Sequence, residues 1–285
     1  MKFQYCLAGA SCHKRPCQQE GLDSAPRRGE TDFYQFMNLS FSILLVLGWL
    51  SVPFSLLAVE RHVPQNFATL QEAIDSSRGG DIIMVDPGTY AGSLRFQGKN
   101  VILRAAGGPM VTSIQGSETP TIDLGPGGEV AGFTVTSNDR FDGTKVVLHG
   151  RGSVLHGNIF LGNDRSDAGI GQAVKGHGVS PVIDGNIFSR NRCADPTTQG
   201  VLVITGHSFP RITNNVFEDN FCGGLEVTPS IGIIANNTLV RNFVGIHLDG
   251  PDSRDTYFRN NILFRNGTGL LAHSPPNRPP GRITW

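Results

Sequence analysis

The chain has 285 residues with 36 glycines, 17 prolines and only 17% charged residues, a composition that favours many turns over a bundle of long helices. Lysine plus arginine balance aspartate plus glutamate at 24 each, so no bulk charge draws the protein to nucleic acid or to an anionic membrane. We therefore predict no nucleic-acid partner, and any charged ligand must be held by a local group of residues.

The N-terminal part is predicted to be a targeting segment. Residues 39–59 are apolar and uncharged over a length that can span a bilayer. If Met37 is the initiating residue, residues 37–59 form an export signal; an uncleaved membrane anchor is the alternative. Residues 1–36 show no usable periodicity and are predicted to be an unstructured or wrongly assigned leader. We expect a secreted, periplasmic or cell-surface protein that meets a membrane only through this N-terminal segment.

A short helix is predicted where the folded region begins. The sequence Thr69-Leu70-Gln71-Glu72 has the pattern of a capping box, which opens an amphipathic helix through about Ser77. Strands are predicted next, over residues 81–85 and 100–103. Such a helix would cover the first strands of a repetitive β structure, whose edge must otherwise stay unpaired.

A repeated segment dominates the rest of the chain. Each copy carries two asparagines five residues apart, and successive copies follow at intervals of 22 to 29 residues. This length accommodates three short strands but no crossover helix, so the strands should stack in parallel at about 4.8 Å, coil upon coil. The first asparagines of the copies are Asn158, Asn186, Asn215, Asn237 and Asn261, and the second are Asn163, Asn191, Asn220, Asn242 and Asn266.

Both asparagine columns are predicted to be structural ladders. An asparagine tolerates the left-handed backbone of a tight turn, and its amide can bond to the copies above and below. A column of large apolar residues should likewise point inward and stack in the core: Phe160, Phe188, Phe217, Leu239 and Leu263.

Three segments near the start of the repeats carry a resemblance to a known family. Residues 67–74, 80–85 and 87–90 resemble the entry segment of right-handed parallel β-helix proteins of the pectin-lyase-like superfamily. The resemblance implies an all-β fold, a right-handed parallel β-helix over residues 60–273. It does not imply one reaction, because this superfamily includes pectin and pectate lyases, pectin methylesterases, polygalacturonases, phage tailspikes and proteins similar to the periplasmic accessory factor of nitrous-oxide reductase.

Two classes of function follow from this resemblance. The first is an exported protein that binds or processes an acidic polysaccharide along one face, and, if it is an enzyme, a polysaccharide lyase or glycoside hydrolase. The second is a non-catalytic scaffold or accessory protein. The Asn-Thr-Asp segment typical of polygalacturonases is absent from the sequence.

The candidate catalytic residues lie on neighbouring copies. Alignment of the strands places Glu226, His247 and Leu271 in one outward column, with Asp249 two residues beyond His247. Neighbouring coils would bring Glu226 and His247 to about 5 Å, where they could share a proton or a ligand. Calcium is the cofactor that a partial carboxylate site of this kind would take.

A second column is predicted to bind substrate. It contains Arg190, Asp219, Arg241 and Arg265, each directly before a second-ladder asparagine. Its three arginines could hold uronate carboxylates through paired hydrogen bonds. The alternative is a solvated face of salt bridges.

Equivalent positions also hold Cys193 and Cys222, each two residues after a second-ladder asparagine. Stacking would bring their Cα atoms close enough for a disulfide in an exported protein; two reduced buried thiols are the alternative. His149, His177 and His207 are predicted to be loop residues rather than metal ligands. Residues 274–285 form an irregular proline-rich tail that should not pair as another strand, an expectation that favours a truncated product.

Overall fold

The computed structural model describes residues 58–137, 144–162, 171–193, 199–250 and 256–272. The predictions for residues 1–36, for nearly all of residues 37–59, for Asn163 and for the tail at 274–285 lie outside these ranges. In the part of the chain so described, no helix has both the length and the apolar character needed to cross a membrane.

One helix covers the start of the repetitive region. Helix α1 (Leu70–Ser76) begins at Thr69, whose side chain accepts a hydrogen bond from the Glu72 backbone N–H, while the Glu72 carboxylate accepts one from the Thr69 N–H. Leu70 and Ile74 are buried against the core. The predicted capping box and helix are therefore confirmed.

Every strand in the described ranges belongs to one of three parallel sheets. The first sheet contains β1 (Glu60–Val63), β2 (Ile82–Val85), β5 (Ile102–Ala105), β8 (Glu129–Ala131), β11 (Arg151–His156), β14 (Ser180–Asp184), β17 (Arg211–Thr213), β20 (Ile233–Ala235) and β23 (Tyr257–Arg259). The second contains β3 (Gly88–Ala91), β6 (Thr112–Gly116), β9 (Thr134–Ser137), β12 (Ile159–Leu161), β15 (Ile187–Ser189), β18 (Val216–Glu218), β21 (Thr238–Val240) and β24 (Ile262–Phe264). The third contains β4 (Leu94–Arg95), β7 (Ile122–Leu124), β10 (Val146–Leu148), β13 (Val174–His177), β16 (Gly200–Ser208), β19 (Gly223–Ser230), β22 (Val244–Leu248) and β25 (Thr268–Ala272).

The chain visits the three sheets in turn, so each coil contributes one strand to each sheet and equivalent residues stack in columns. The ring centroids of Phe160 and Phe188 lie 4.9 Å apart, and those of Phe188 and Phe217 lie 4.6 Å apart. All three rings are fully buried, as is Leu239, whereas Leu263 on the last described coil is only partly buried. The predicted parallel β-helix and its inward apolar stack are confirmed.

Two corners of the later coils carry an asparagine ladder, which starts at Asn158 at one corner and is described from Asn191 onward at the other. The first corner joins the first and second sheets, and the second corner joins the second and third. At the first, the Asn237 amide nitrogen donates to the Ile212 carbonyl at 2.9 Å and to Asn261 Oδ1 at 3.0 Å. At the second, the Asn242 amide nitrogen donates to the Phe217 carbonyl at 3.0 Å and to Asn266 Oδ1 at 3.1 Å. The two ladders thus share one hydrogen-bond pattern.

The left-handed turn residue is the one before each ladder asparagine, not the asparagine itself, so that part of the prediction was wrong. The ladder side chain must point into the corner to align its amide, and the preceding residue makes the reversal. At the first corner the left-handed residues are Gly157, Gly185, Asn214, Asn236 and Asn260; at the second they are Arg190, Asp219, Arg241 and Arg265, with φ between 53° and 55°.

Candidate functional site

The second corner places the predicted arginine column on exposed, consecutive coils. Arg241 Nε lies 2.5 Å from Asp219 Oδ1, and Arg241 Nη2 lies 2.7 Å from Asp219 Oδ2. The hydrogen bonds from Arg241, together with the charges of Arg241 and Arg190, hold the pKa of the Asp219 carboxyl below its usual range. Arg241 of the column is therefore paired with Asp219, as the salt-bridge alternative expected, and the group is positive overall.

Two phenylalanines with exposed rings each lie two residues after a member of this column, and they were not predicted from the sequence. Phe221 is 57% exposed and Phe243 is 48% exposed, each one residue after a ladder asparagine. The Arg192 guanidinium carbon lies 4.7 Å from the centroid of the Phe221 ring, within range for a cation–π contact. The signal that could have found them is a large apolar residue at a position where the ladder turns the chain outward.

A shallow cavity of about 220 Å³ opens between these side chains. Its lining combines two arginines, a carboxylate, a ladder amide and an aromatic ring: Arg190, Arg241, Asp219, Asn220 and Phe221. Hydrogen-bonding groups beside an apolar ring suit a ligand that has both polar and apolar faces.

A disulfide ties two of the three coils that line this cavity. Cys193 and Cys222 are joined, and their Cα atoms lie 5.4 Å apart. Each cysteine directly follows a residue of the cation–π pair, Arg192 or Phe221. The covalent link therefore holds these two neighbouring coils together at the exposed ring.

A buried lysine lies beneath the second corner. Lys145 is 5% exposed, and its Nζ donates to Asn191 Oδ1 at 3.1 Å. Burial lowers the pKa of Lys145 to about 8. This contact could not be predicted from the sequence, because it joins residues 46 positions apart.

The predicted catalytic column is present, but it is less exposed than expected. Strand register pairs Glu226 with His247 and His247 with Leu271. His247 is only 6% exposed, and Glu226 accepts a hydrogen bond of 3.1 Å from the Gly200 N–H. Because Gly200 has no side chain, its backbone comes close enough to shield Glu226.

This environment changes the acidity of Glu226. Burial is the largest effect and raises the pKa of its carboxyl, and the charge of Asp249 adds to the rise. The Gly200 N–H and His247 oppose it without reversing it. A carboxyl of raised pKa in register with a histidine is an arrangement that enzymes use for general acid–base chemistry.

Within the described ranges, no three or more His, Cys, Asp or Glu side chains are grouped to hold a metal ion. Strand register places Thr205, not His207, beside His177, so the three histidines named from the sequence do not share one column. His149 instead approaches Asp123, with Nε2 and Oδ1 2.7 Å apart.

A match to one protein family agrees with this architecture. The sequence pattern of the family described as "Right handed beta helix region" matches residues 112–263, which are 152 of the 285 residues. A solved pectin methylesterase from Aspergillus niger is similar over 77% of this chain and 81% of its own, with 12% identity and a TM-score of 0.39. No curated protein matches the sequence. The chain belongs to the right-handed β-helix family.

Proposed function

We propose that this is an exported protein that binds an acidic polysaccharide along the second corner. The observation that carries the proposal is the identity of the left-handed residues there. Glycine and asparagine adopt this backbone with little strain, and they hold every such position at the first corner between residues 157 and 260. Arginine lacks this tolerance, so each arginine in the left-handed backbone costs roughly 1 kcal/mol or more of conformational strain. Retained backbone strain of this kind is typical of functional sites.

The chemistry of the corner fits acidic sugars. Guanidinium groups bind carboxylates through paired, charge-assisted hydrogen bonds. The exposed faces of Phe221 and Phe243 offer apolar surface to the C–H groups of a sugar ring. Because the coils repeat at about 4.8 Å, one extended polymer can contact several of them in succession.

The test uses two double variants with matched backbones. Arg241→Gly with Arg265→Gly removes two charges at left-handed positions, and Asn236→Gly with Asn260→Gly makes the same replacement on the same coils at the first corner. We expect the arginine variant to bind polygalacturonate at least tenfold more weakly in isothermal titration calorimetry, and the asparagine variant to bind like the unaltered protein. The affinity should also fall with added salt, and a neutral galactan should bind weakly or not at all.

Equal affinities of the two double variants for polygalacturonate would contradict the proposal. Circular dichroism on both should show the same folded β content, because glycine is compatible with the left-handed backbone at all four sites.

Processing of the bound polymer is the second candidate function. It is favoured by the contact between coils that places Glu226 beside His247. If this pair transfers protons, Glu226→Gln should abolish the release of unsaturated or reducing ends from polygalacturonate and leave binding intact. Glu218→Gln is the matched control, since Glu218 lies on the same coil and on the second sheet. Binding without any release by the unaltered protein would leave a non-catalytic carbohydrate-binding protein.

A further inference from the structure

A second polar site lies at the first corner, among earlier coils. The penultimate or last residues of neighbouring first-sheet strands form a column of Arg104, Ala131, His156, Asp184 and Thr213. Ala131 is the small member of this run. With the adjoining glycines it leaves a notch of about 440 Å³ that has Arg104 and His156 among its lining residues.

The histidine side of the notch is held in a fixed orientation. His156 Nδ1 lies 3.3 Å from Asp184 Oδ2. Asp184 Oδ1 also accepts hydrogen bonds from the Thr213 hydroxyl at 2.5 Å and from the Asn214 amide at 2.7 Å. Burial by itself would raise the pKa of Asp184, but these hydrogen bonds and the charge of His156 bring it below its ordinary value.

Nδ1 of His156 faces Asp184, so Nε2 is the ring nitrogen left for a ligand, and in the doubly protonated ring the Nε2–H can donate to an oxyanion. The ring is 60% exposed, so a ligand in the notch can reach it. This arrangement of a histidine oriented by a hydrogen-bonded carboxylate is one that proteins use where a histidine binds or deprotonates a ligand.

The opposite side is an arginine that is only partly compensated. Arg104 Nη2 donates to Glu129 Oε1 at 2.8 Å, and the arginine side chain is 47% exposed. A guanidinium has five N–H donors, so one bond to Glu129 leaves it able to hold a second oxyanion. Arg104 and His156 are two coils apart, or roughly 10 Å by the usual spacing of strands.

We propose that this notch binds a small ligand through an oxyanion, a carboxylate or a phosphate, held between Arg104 and His156. Its volume lies within the usual range of small-molecule sites and suits a ligand the size of one sugar unit. The site is separate from the second corner, so its existence does not depend on polysaccharide binding there.

The experiment titrates the full-length protein with glucuronate and, separately, with inorganic phosphate, while the His156 ring resonances are followed by NMR. Ala131→Leu should fill the notch and weaken binding at least tenfold without changing any charge. Ala235→Leu is the matched control, because Ala235 lies in the same column between Thr213 and Arg259 and is similarly buried. Arg104→Met should also weaken binding, and Glu129→Gln should strengthen it by removing a competing carboxylate.

Whichever probe binds more tightly identifies the preferred oxyanion. The proposal is overturned if neither probe shifts the His156 resonances at millimolar concentration, or if Ala131→Leu binds as well as Ala235→Leu. Neither result would bear on the second corner, whose arginine variants are tested with a polymer at a different place.

Discussion

The two corners of this β-helix make the same left-handed turn with different residues. Each requires a left-handed residue before a buried ladder asparagine, and the ladder hydrogen bonds are the same in kind and length at both. The first corner uses glycine and asparagine, which the backbone itself favours. The second uses three arginines, which it does not favour, and one aspartate, which tolerates it. The ladder is therefore common to both corners and belongs to the scaffold, whereas the charged side chains are specific to the second corner.

If the two ladders contribute equally to stability, removing one asparagine from either ladder should lower the unfolding free energy by the same amount. Asn237→Ala and Asn242→Ala affect the same coil, and each removes hydrogen bonds to both neighbouring coils. Since each buried group left without a partner costs about 1–3 kcal/mol, we expect each variant to lose about 4 kcal/mol of unfolding free energy. Urea denaturation measures this loss. A loss at one corner only would show that the ladders differ in their contribution to stability.

The buried Lys145 distinguishes the two corners, because its hydrogen bond to Asn191 lies at the second corner. Its pKa is about 8 in the folded protein against an ordinary value of 10.5, so between these pH values the unfolded chain binds a proton that the folded protein does not. Stability attributable to Lys145 should therefore rise by roughly 3 kcal/mol as the pH increases from 8 to 10.5. Below pH 8 the buried charge is destabilising.

The measurement is the difference in unfolding free energy between the unaltered protein and Lys145→Met across that range, which cancels the titration of other groups. Lys175→Met, at an exposed position, controls for the loss of one positive charge. A difference that stays constant with pH would mean that Lys145 is not desolvated as the structure indicates.

The smallest effect is the backbone strain itself. Arg265→Gly should be more stable than Arg265→Ala by about 1 kcal/mol, because both remove the same charge but only alanine keeps a Cβ at a left-handed position. The pair Asn260→Gly and Asn260→Ala, on the same coil, should differ by a similar amount. Thermal unfolding of the four variants gives both differences, and equal stability of glycine and alanine at residue 265 would remove the strain argument for the second corner.

Much of the fold could be predicted because it is repeated in the sequence. The asparagine spacing identified both ladders from Asn158 onward, the Phe160 column identified the core, and equivalent cysteines identified the disulfide. Periodicity predicts such features well because each coil has the same type of residue at the equivalent position.

The sites were harder to predict, because they depend on departures from the repeat. The shielding of Glu226 depends on how the chain enters a strand at Gly200, and the Lys145 contact spans two coils. The notch beside His156 exists because one coil has the small residue Ala131 in the column, and an alanine in a sequence does not by itself indicate a binding site. Exposure of Phe221 likewise depends on the direction of a turn rather than on residue type.

Because the ladder hydrogen bonds repeat from coil to coil, a whole coil can be deleted while the remaining asparagines keep the same kind of contacts. An inner ladder asparagine such as Asn237 accepts from the coil before it and donates both to that coil and to the coil after it. Deleting residues 215–236 would remove one whole coil, set Asn186 on Asn237 and Asn191 on Asn242, and keep every ladder contact in kind. It would also remove Asp219 and leave Arg190, Arg241 and Arg265 on three consecutive coils. Such a recombination event would shorten the protein and strengthen its cationic surface in a single step, and it would also remove Cys222 and the disulfide to Cys193.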